Sequence, residues 1–179
     1  MKETPIQYNR CVPYDLQVNE VLVGVKDGIF EYMMYGPRKV ESVEDGIDHF
    51  WVIDVSEQLT ALRYEPSDLC VDMKYEIAFP TLLLPKLNSA QDVSAFIEKE
   101  LGMVVCNLIS SFLNEKQISR DIELFQGHCE SLEQCLFEGL QVQFFNSGLF
   151  LNEIRLRRKV LVSQNNEYHY GDCSEDYIY

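Results

Sequence analysis

The chain has 179 residues, of which 46% are hydrophobic and 25% are charged. This balance is typical of one folded domain and excludes bulk disorder and collagen-like repeats. Acidic residues outnumber basic ones by 29 to 15, which gives a formal net charge of −14. Because a field of that sign repels phosphate backbones, we do not expect the protein to bind nucleic acid.

Two features of the sequence predict a cytoplasmic protein. No apolar run approaches the roughly 20 residues that a membrane-spanning helix needs, and no signal-peptide pattern follows Lys2 and Glu3. The six cysteines include no CxxC pair, as is typical of reduced thiols that act as small hydrophobes. His128, Cys129 and Cys135 lack the spacing of a structural zinc site, so we expect no metal.

The N-terminal half of the chain predicts β structure, beginning with a hairpin. Two apolar runs, residues 21–25 and 29–35, flank a turn that contains Asp27 and Gly28. Asp-Gly suits this turn because its two central positions need positive φ, which glycine tolerates. The dipeptide Gly36–Pro37 ends the second strand, since proline lacks the hydrogen-bond donor of a strand ladder.

Further strands are expected at residues 50–55, 58–64 and 69–79. In residues 69–79 apolar and polar side chains alternate, which predicts one face that is buried and one that is wet. Pro80 and Pro85 then bracket a short apolar loop. The first half of the chain is therefore predicted to be rich in strands.

Helices replace strands after this loop. Ser89 and Asp92 form a shortened capping box, and the apolar residues that follow recur at helical spacing. This pattern predicts a helix over residues 89–114. A second helix is expected to start at Ser119 and to bend near Gly127, where glycine weakens the helix by about 1 kcal/mol.

The order of these elements predicts an α+β fold. Gly148 is placed to end the second helix, and residues 149–162 alternate as a returning C-terminal strand. We expect one domain over residues 1–162, in which a two-helix hairpin covers one face of the sheet. Residues 163–179 are acidic and tyrosine-rich and are predicted to be a mobile tail.

The sequence contains no recognisable catalytic or cofactor motif. The chain has no phosphate-binding glycine loop, no HExxH and no GxSxG. Acidic residues crowd one stretch, at Glu44, Asp45, Asp48 and Asp54. These could hold a hard cation or serve as acid and base, but a solvated loop explains them better. We therefore expect no enzyme, no cofactor and no metal.

A basic cluster stands out near the end of the predicted domain. In a strand, Arg155, Arg157 and Lys159 project from one face. They are interpreted either as the solvent face of an edge strand, where charges block unwanted pairing, or as a contact for an acidic surface. That surface is anionic lipid or an identical subunit. The net charge favours the subunit, so peripheral membrane contact is not favoured.

Three segments resemble the stomatin/prohibitin/flotillin superfamily, also called band 7. VNEVLVGVKDGIFEYMMYGPRKV is similar to its opening hairpin, and VDMKYEIAFP to its central strand. ISRDIELFQGHCESLEQCLFEGLQVQFFNSGLFLNEIRL resembles its closing helix and last strand, with Gly148, Leu149 and Leu151 at the entry to that strand. The resemblance spans roughly residues 15–160, and it lacks the membrane segment and the coiled coil of family members.

The resemblance implies a compact domain for self-association or protein binding, without catalytic residues. The first hypothesis is therefore a non-enzymatic scaffold domain of band 7 type, with contacts through a sheet edge and Arg155, Arg157 and Lys159. The alternative is a small acidic inhibitor or immunity-type protein that neutralises a basic protein partner. It would use the acids around Glu41 to Asp54, among them Glu44, Asp45 and Asp48, or the acidic tail to steer association.

Overall fold

The computed structural model describes residues 6–8, 13–41, 47–64, 69–87, 93–118, 127–162 and 167–172. Within them a run of strands precedes the helices, and two more strands follow, so the predicted α+β class is confirmed. The first strands are β1 (Ile6–Tyr8), β2 (Tyr14–Leu16), β3 (Glu20–Lys26), β4 (Ile29–Tyr35), β5 (Arg38–Val40), β6 (His49–Asp54), β7 (Gln58–Tyr64) and β8 (Leu69–Ile77). After them come α1 (Pro80–Leu83), a 3-10 turn (Leu84–Lys86), α2 (Val93–Glu115), α3 (Cys129–Asn146), β9 (Leu149–Val162) and β10 (Glu167–Asp172).

β3 and β4 form the predicted hairpin. Asp27 and Gly28 have φ values of 50° and 75°, in the left-handed region that this tight turn requires. At the far end of β4, Gly36 leaves no room for a side chain. A Cβ there would lie 1.8 Å from the carbonyl oxygen of Gln17. The hairpin therefore depends on glycine at both of its ends.

The strands divide into two antiparallel sheets and a ribbon. The N-terminal sheet has the order β1-β6-β3-β4, the C-terminal sheet has the order β10-β9-β8-β7, and β2 pairs with β5 alone. The sequence predicts one sheet with helices on one face. The structure differs because β3 is apolar on both faces: Val21 and Val23 join the main core, while Leu22 joins a second cluster under the ribbon.

The helices pack on one face of the C-terminal sheet. α2 buries a continuous stripe, made of Val93, Phe96, Ile97, Leu101, Val105, Ile109 and Phe112. Its range agrees with the predicted helix except at residues 89–92, which lie outside the described residues. α3 begins at Cys129 after a turn at Gly127, and the predicted start at Ser119 also lies outside the described residues.

β8 and β9 are the longest neighbours of the C-terminal sheet. Val71, Met73 and Tyr75 of β8 are fully buried under the helices, as the alternation predicts. β8 ends at Ile77, two residues before the predicted end, because the N–H of Phe79 instead donates to the carbonyl of Gly148 at 2.8 Å. β7 and β9 have the predicted ranges.

β10 lies within the segment predicted to be a mobile tail. It pairs with the second half of β9, from Glu167 opposite Val162 to Asp172 opposite Arg157. The fold therefore extends past residue 162, which is the predicted end of the domain. The rest of that segment, residues 163–166 and 173–179, lies outside the described residues.

Candidate functional site

Among the predicted acidic residues, Asp48 has a structural role. Its carboxylate accepts a hydrogen bond of 2.8 Å from the backbone N–H of Asp27. Its own N–H donates to a carbonyl of β3 at 2.9 Å, so Asp48 fastens β6 to the hairpin turn. Asp54 lies at the other end of β6, about 20 Å away at the usual rise of a strand, and cannot share an ion with it. Glu44 and Asp45 lie outside the described residues.

Arg157 is held by an acidic partner on the neighbouring strand. It projects from the outer face of the C-terminal sheet, on the side away from the helices. Its Nε and Nη2 atoms contact the two carboxylate oxygens of Asp72 at 2.5 and 2.6 Å. The two side chains are only 28% and 14% exposed. Arg157 therefore forms an ion pair within the domain, in which Nη2 donates a hydrogen bond and Nε makes an ionic contact without hydrogen-bond geometry.

Arg155 belongs to a second charge network on the same face. Its Nε contacts Glu153 at 2.6 Å, and Lys74 contacts the other oxygen of Glu153 at 2.7 Å. Hydrogen bonds from Lys74 and Arg155 lower the pKa of Glu153 below its usual value. Opposite charges thus alternate across β8 and β9, and the predicted basic face is largely neutralised by its own sheet.

The interpretation of all three basic residues as part of an edge strand is wrong. β9 lies between β8 and β10, and β10 pairs with residues 157–162. Arg157 is therefore flanked on both sides, and the backbone of Lys159 lies opposite Tyr170. In the described structure, residues 149–156 of β9, which include Arg155, have β8 as their only strand neighbour.

Part of this one-sided stretch of β9 is covered by a carboxylate from α3. The backbone N–H of Leu156 donates to Glu133 at 2.7 Å. Glu133 thus supplies the acceptor that a neighbouring strand would otherwise provide. Its partial burial raises its pKa, while the hydrogen bond from Leu156 acts in the opposite direction.

An apolar groove lies beside the beginning of β9. We call it the corner groove. It runs between α3 and β9 and has a volume of about 290 Å³. The residues that line it are Gln141, Val142, Phe145, Leu149, Phe150 and Leu151. Val142, Phe145 and Phe150 are each more than half exposed. The ring of Phe145 also meets the exposed ring of Phe79 edge-on at 5.5 Å. Leu82 is exposed in the same region, so five large apolar side chains are exposed here: Phe79, Leu82, Val142, Phe145 and Phe150.

Carboxylates border the corner groove on the outer face of the sheet. Glu76 lies opposite Phe150 in the pairing of β8 with β9. The side-chain amide of Asn152 donates to both Glu76 and Glu57, at 3.0 and 3.1 Å. One neutral amide therefore gathers two acidic side chains on the outer face beside Phe150, while the ammonium of Lys86 lies at the other side, where it donates to the carbonyl of Asn146.

A second exposed apolar surface lies at the edge of the N-terminal sheet. β4 is the last strand of that sheet among the described residues. Its side chains alternate: Ile29, Met33 and Tyr35 are exposed, whereas Phe30, Tyr32 and Met34 are partly buried. Glu31 is the only charged residue of the strand. A seven-residue edge with this composition is unusual, because edge strands are commonly protected by charges or proline.

No group of three or more His, Cys, Asp and Glu side chains in the described ranges could hold a metal ion. Burial raises the pKa of the Cys70 thiol, and the nearby Asp72 adds to this effect. Such a thiol is a poor nucleophile, since the thiolate is the reactive form. In the described part of the chain, no helix has the length and apolarity needed to cross a membrane.

Comparison with known proteins does not assign the chain to a family. No protein-family model matches the sequence, and no curated protein matches it. The resemblance to the band 7 superfamily stays a prediction.

Sequence reasoning missed both exposed apolar surfaces. The signal for β4 was available, since IFEYMMY holds six large apolar or aromatic residues and one charge. The sequence does not, however, show which strand ends a sheet. The corner groove had no sequence signal, because Val142 and Phe145 lie on α3 and Phe150 lies on β9, and the three residues line one groove only in the folded chain.

Proposed function

We propose that the domain is a non-enzymatic scaffold that self-associates through β4. The observation that carries the proposal is the nearly uncharged strand β4, which ends the N-terminal sheet among the described residues, with Ile29, Met33 and Tyr35 exposed. An edge strand presents a row of backbone donors and acceptors that can pair with another chain. Apolar side chains on that edge add a hydrophobic contribution when they are covered.

A second copy of β4 suits this edge. In an antiparallel pairing around a two-fold axis at Tyr32, Ile29 meets Tyr35 of the other copy, and Glu31 meets Met33. No like charges then lie directly opposite each other, so the pairing lacks the repulsion that opposes most charged edges. Such an isologous contact would join two four-stranded sheets into one of eight strands.

Two further considerations support the proposal. The resemblance to the band 7 superfamily implies self-association, although it does not indicate which surface is used. The cysteines of the described residues form no disulfide bond, which supports a reducing compartment and the predicted cytoplasmic location. The predicted basic residues contribute less, because Arg155 and Arg157 are engaged inside the domain.

Light scattering of matched variants tests the proposal. Met33→Glu places a second carboxylate opposite Glu31 of the other copy, and the dissociation constant of the dimer should rise at least tenfold. Met103→Glu is the control, because Met103 is an exposed methionine on α2 and the variant has the same net charge. Met33→Lys should dissociate less than Met33→Glu, since lysine would face Glu31.

The result that would overturn the proposal is a monomer at every concentration for the wild-type protein. Equal dissociation of the Met33 and Met103 variants would also count against it, because the contact would then not involve β4. Melting temperatures of all three variants show whether each of them is folded.

A further inference from the structure

In the part of the chain that the structure describes, the corner groove adjoins a stretch of β9 with a strand neighbour on one side only. Residues 149–156 pair with β8 on that side, and the described part of β10 pairs with β9 from Val162 to Arg157. Glu133 occupies the backbone N–H of Leu156 and so marks the end of this stretch nearest to β10. An extended peptide can add to such an edge by backbone hydrogen bonds, while pockets beside it select its side chains.

The lining of the groove selects apolar side chains. Val142 and Phe145 of α3 form one wall, and Phe150 of β9 forms the other. Its volume of about 290 Å³ lies at the lower end of the range for ligand pockets. A groove of this size suits one or two aliphatic side chains of a peptide rather than a whole helix.

The charge at the groove selects a basic segment. Alternate side chains of an added strand would point to the outer face, where Glu76 and Glu57 lie together around the amide of Asn152. Lysine or arginine at those positions would meet two carboxylates. The net charge of −14 would also steer a basic segment toward the domain and repel an acidic one.

We infer that the corner groove binds an extended, basic segment of a protein partner, which adds to β9 as a strand. Its apolar side chains enter the groove between Val142, Phe145 and Phe150, and its alternate basic side chains meet Glu76 and Glu57. This contact is separate from β4, so it does not depend on self-association of the domain.

The test uses a fluorescein-labelled peptide of eight residues in which lysine and valine alternate, with binding followed by fluorescence polarisation. Two control peptides separate the contributions: alternating glutamate and valine reverses the charge, and four lysines followed by four valines keeps the composition but removes the alternation. The alternating basic peptide should bind at least tenfold more tightly than either control. Amide exchange in residues 149–156 should slow when it binds.

Variants of the groove locate the binding. Phe150→Ser should raise the dissociation constant at least tenfold, and Glu76→Gln should raise it about threefold and reduce its salt dependence. Met103→Ser is the matched control, because it also removes an exposed apolar side chain and should leave binding unchanged. All of these residues are exposed, so the variants should keep the fold.

Three results would overturn the inference. Equal binding of the block and alternating peptides, or equal binding to Phe150→Ser, would mean that only the overall charge attracts the peptide. Displacement of the probe by a synthetic peptide with the sequence of residues 173–179 would make this chain the occupant. A lower mass of Phe150→Ser in light scattering would assign the groove to a second copy, a result that leaves the Met33 test of β4 independent.

Discussion

Breaking the ion pair of Arg157 should lower the free energy of unfolding by about 2 kcal/mol. Exposed ion pairs typically contribute about 0.2–1 kcal/mol, and removing one partner of a fully buried pair costs about 3–5 kcal/mol. Asp72 and Arg157, at 14% and 28% exposure, lie between these cases. One hydrogen bond of 2.6 Å from Nη2 and one ionic contact of 2.5 Å from Nε place Asp72→Ala near the middle of the range, because the substitution removes the carboxylate that faces the guanidinium.

A double-mutant cycle of Asp72→Ala and Arg157→Met measures this interaction. Urea unfolding can be followed by the fluorescence of Trp51, the single tryptophan of the chain. We expect a coupling energy of about 1–2 kcal/mol. Lys39 and Glu41 provide a matched control, since they form an ion pair of 3.0 Å with side chains that are 61% and 74% exposed. Their coupling should stay below about 0.5 kcal/mol.

Additive effects of Asp72→Ala and Arg157→Met, to within about 0.3–0.5 kcal/mol, would refute this reasoning. Arg157 could then contact a protein partner, as the sequence predicts for the basic cluster. A large coupling energy would instead identify it as a residue that stabilises the sheet.

Two further predictions concern the residues around the corner groove. Glu133→Ala should lower the free energy of unfolding by about 1 kcal/mol, because it removes the acceptor of the Leu156 N–H. Glu133→Gln should lower it less, because the amide oxygen of glutamine can accept the same hydrogen bond. Burial raises the pKa of Glu133, so the folded protein takes up a proton at a higher pH than the unfolded chain. The wild-type protein should therefore gain stability relative to Glu133→Gln as the pH falls from 7 toward 4.5. The midpoints of urea unfolding over this pH range measure the difference. Gly148→Ala should cost at least about 2 kcal/mol in thermal unfolding, because Gly148 has a φ of +80° and an added Cβ would lie 2.4 Å from the carbonyl oxygen of Phe79. Gly102→Ala is its control: a Cβ there meets nothing within 4 Å, so helix propensity alone should stabilise the protein by up to about 1 kcal/mol.

The elements that could be predicted from the sequence are those that local chemistry determines. The turn at Asp27 and Gly28 needs positive φ, and the alternation in β8 requires one buried face. Gly148 ends α3 with a φ of +80°, and the strand after it has the predicted range. In each case the signal lies within a few residues of the element that it specifies.

The charged face could be predicted only in part, because its partners are distant in sequence. Strand alternation correctly places Arg155 and Arg157 on one face. Their partners depend on register: Asp72 is 85 residues from Arg157 and meets it only because β8 and β9 pair as they do. Register is a tertiary property, fixed by the burial of the opposite face. The basic cluster, which the sequence suggests could contact a partner, is therefore largely neutralised by acidic side chains of its own sheet.

The strong negative charge separates the two proposed contacts in one measurement. Two copies that meet at β4 each carry a net charge of −14, so added salt should strengthen their association by screening the repulsion between them. A basic segment in the corner groove is attracted by the same field, and its binding should weaken as salt increases. A salt series that shifts the mass and the peptide affinity in opposite directions therefore supports both surfaces. If both quantities shift in the same direction, one of the two assignments is wrong, and the Met33 and Phe150 variants identify which.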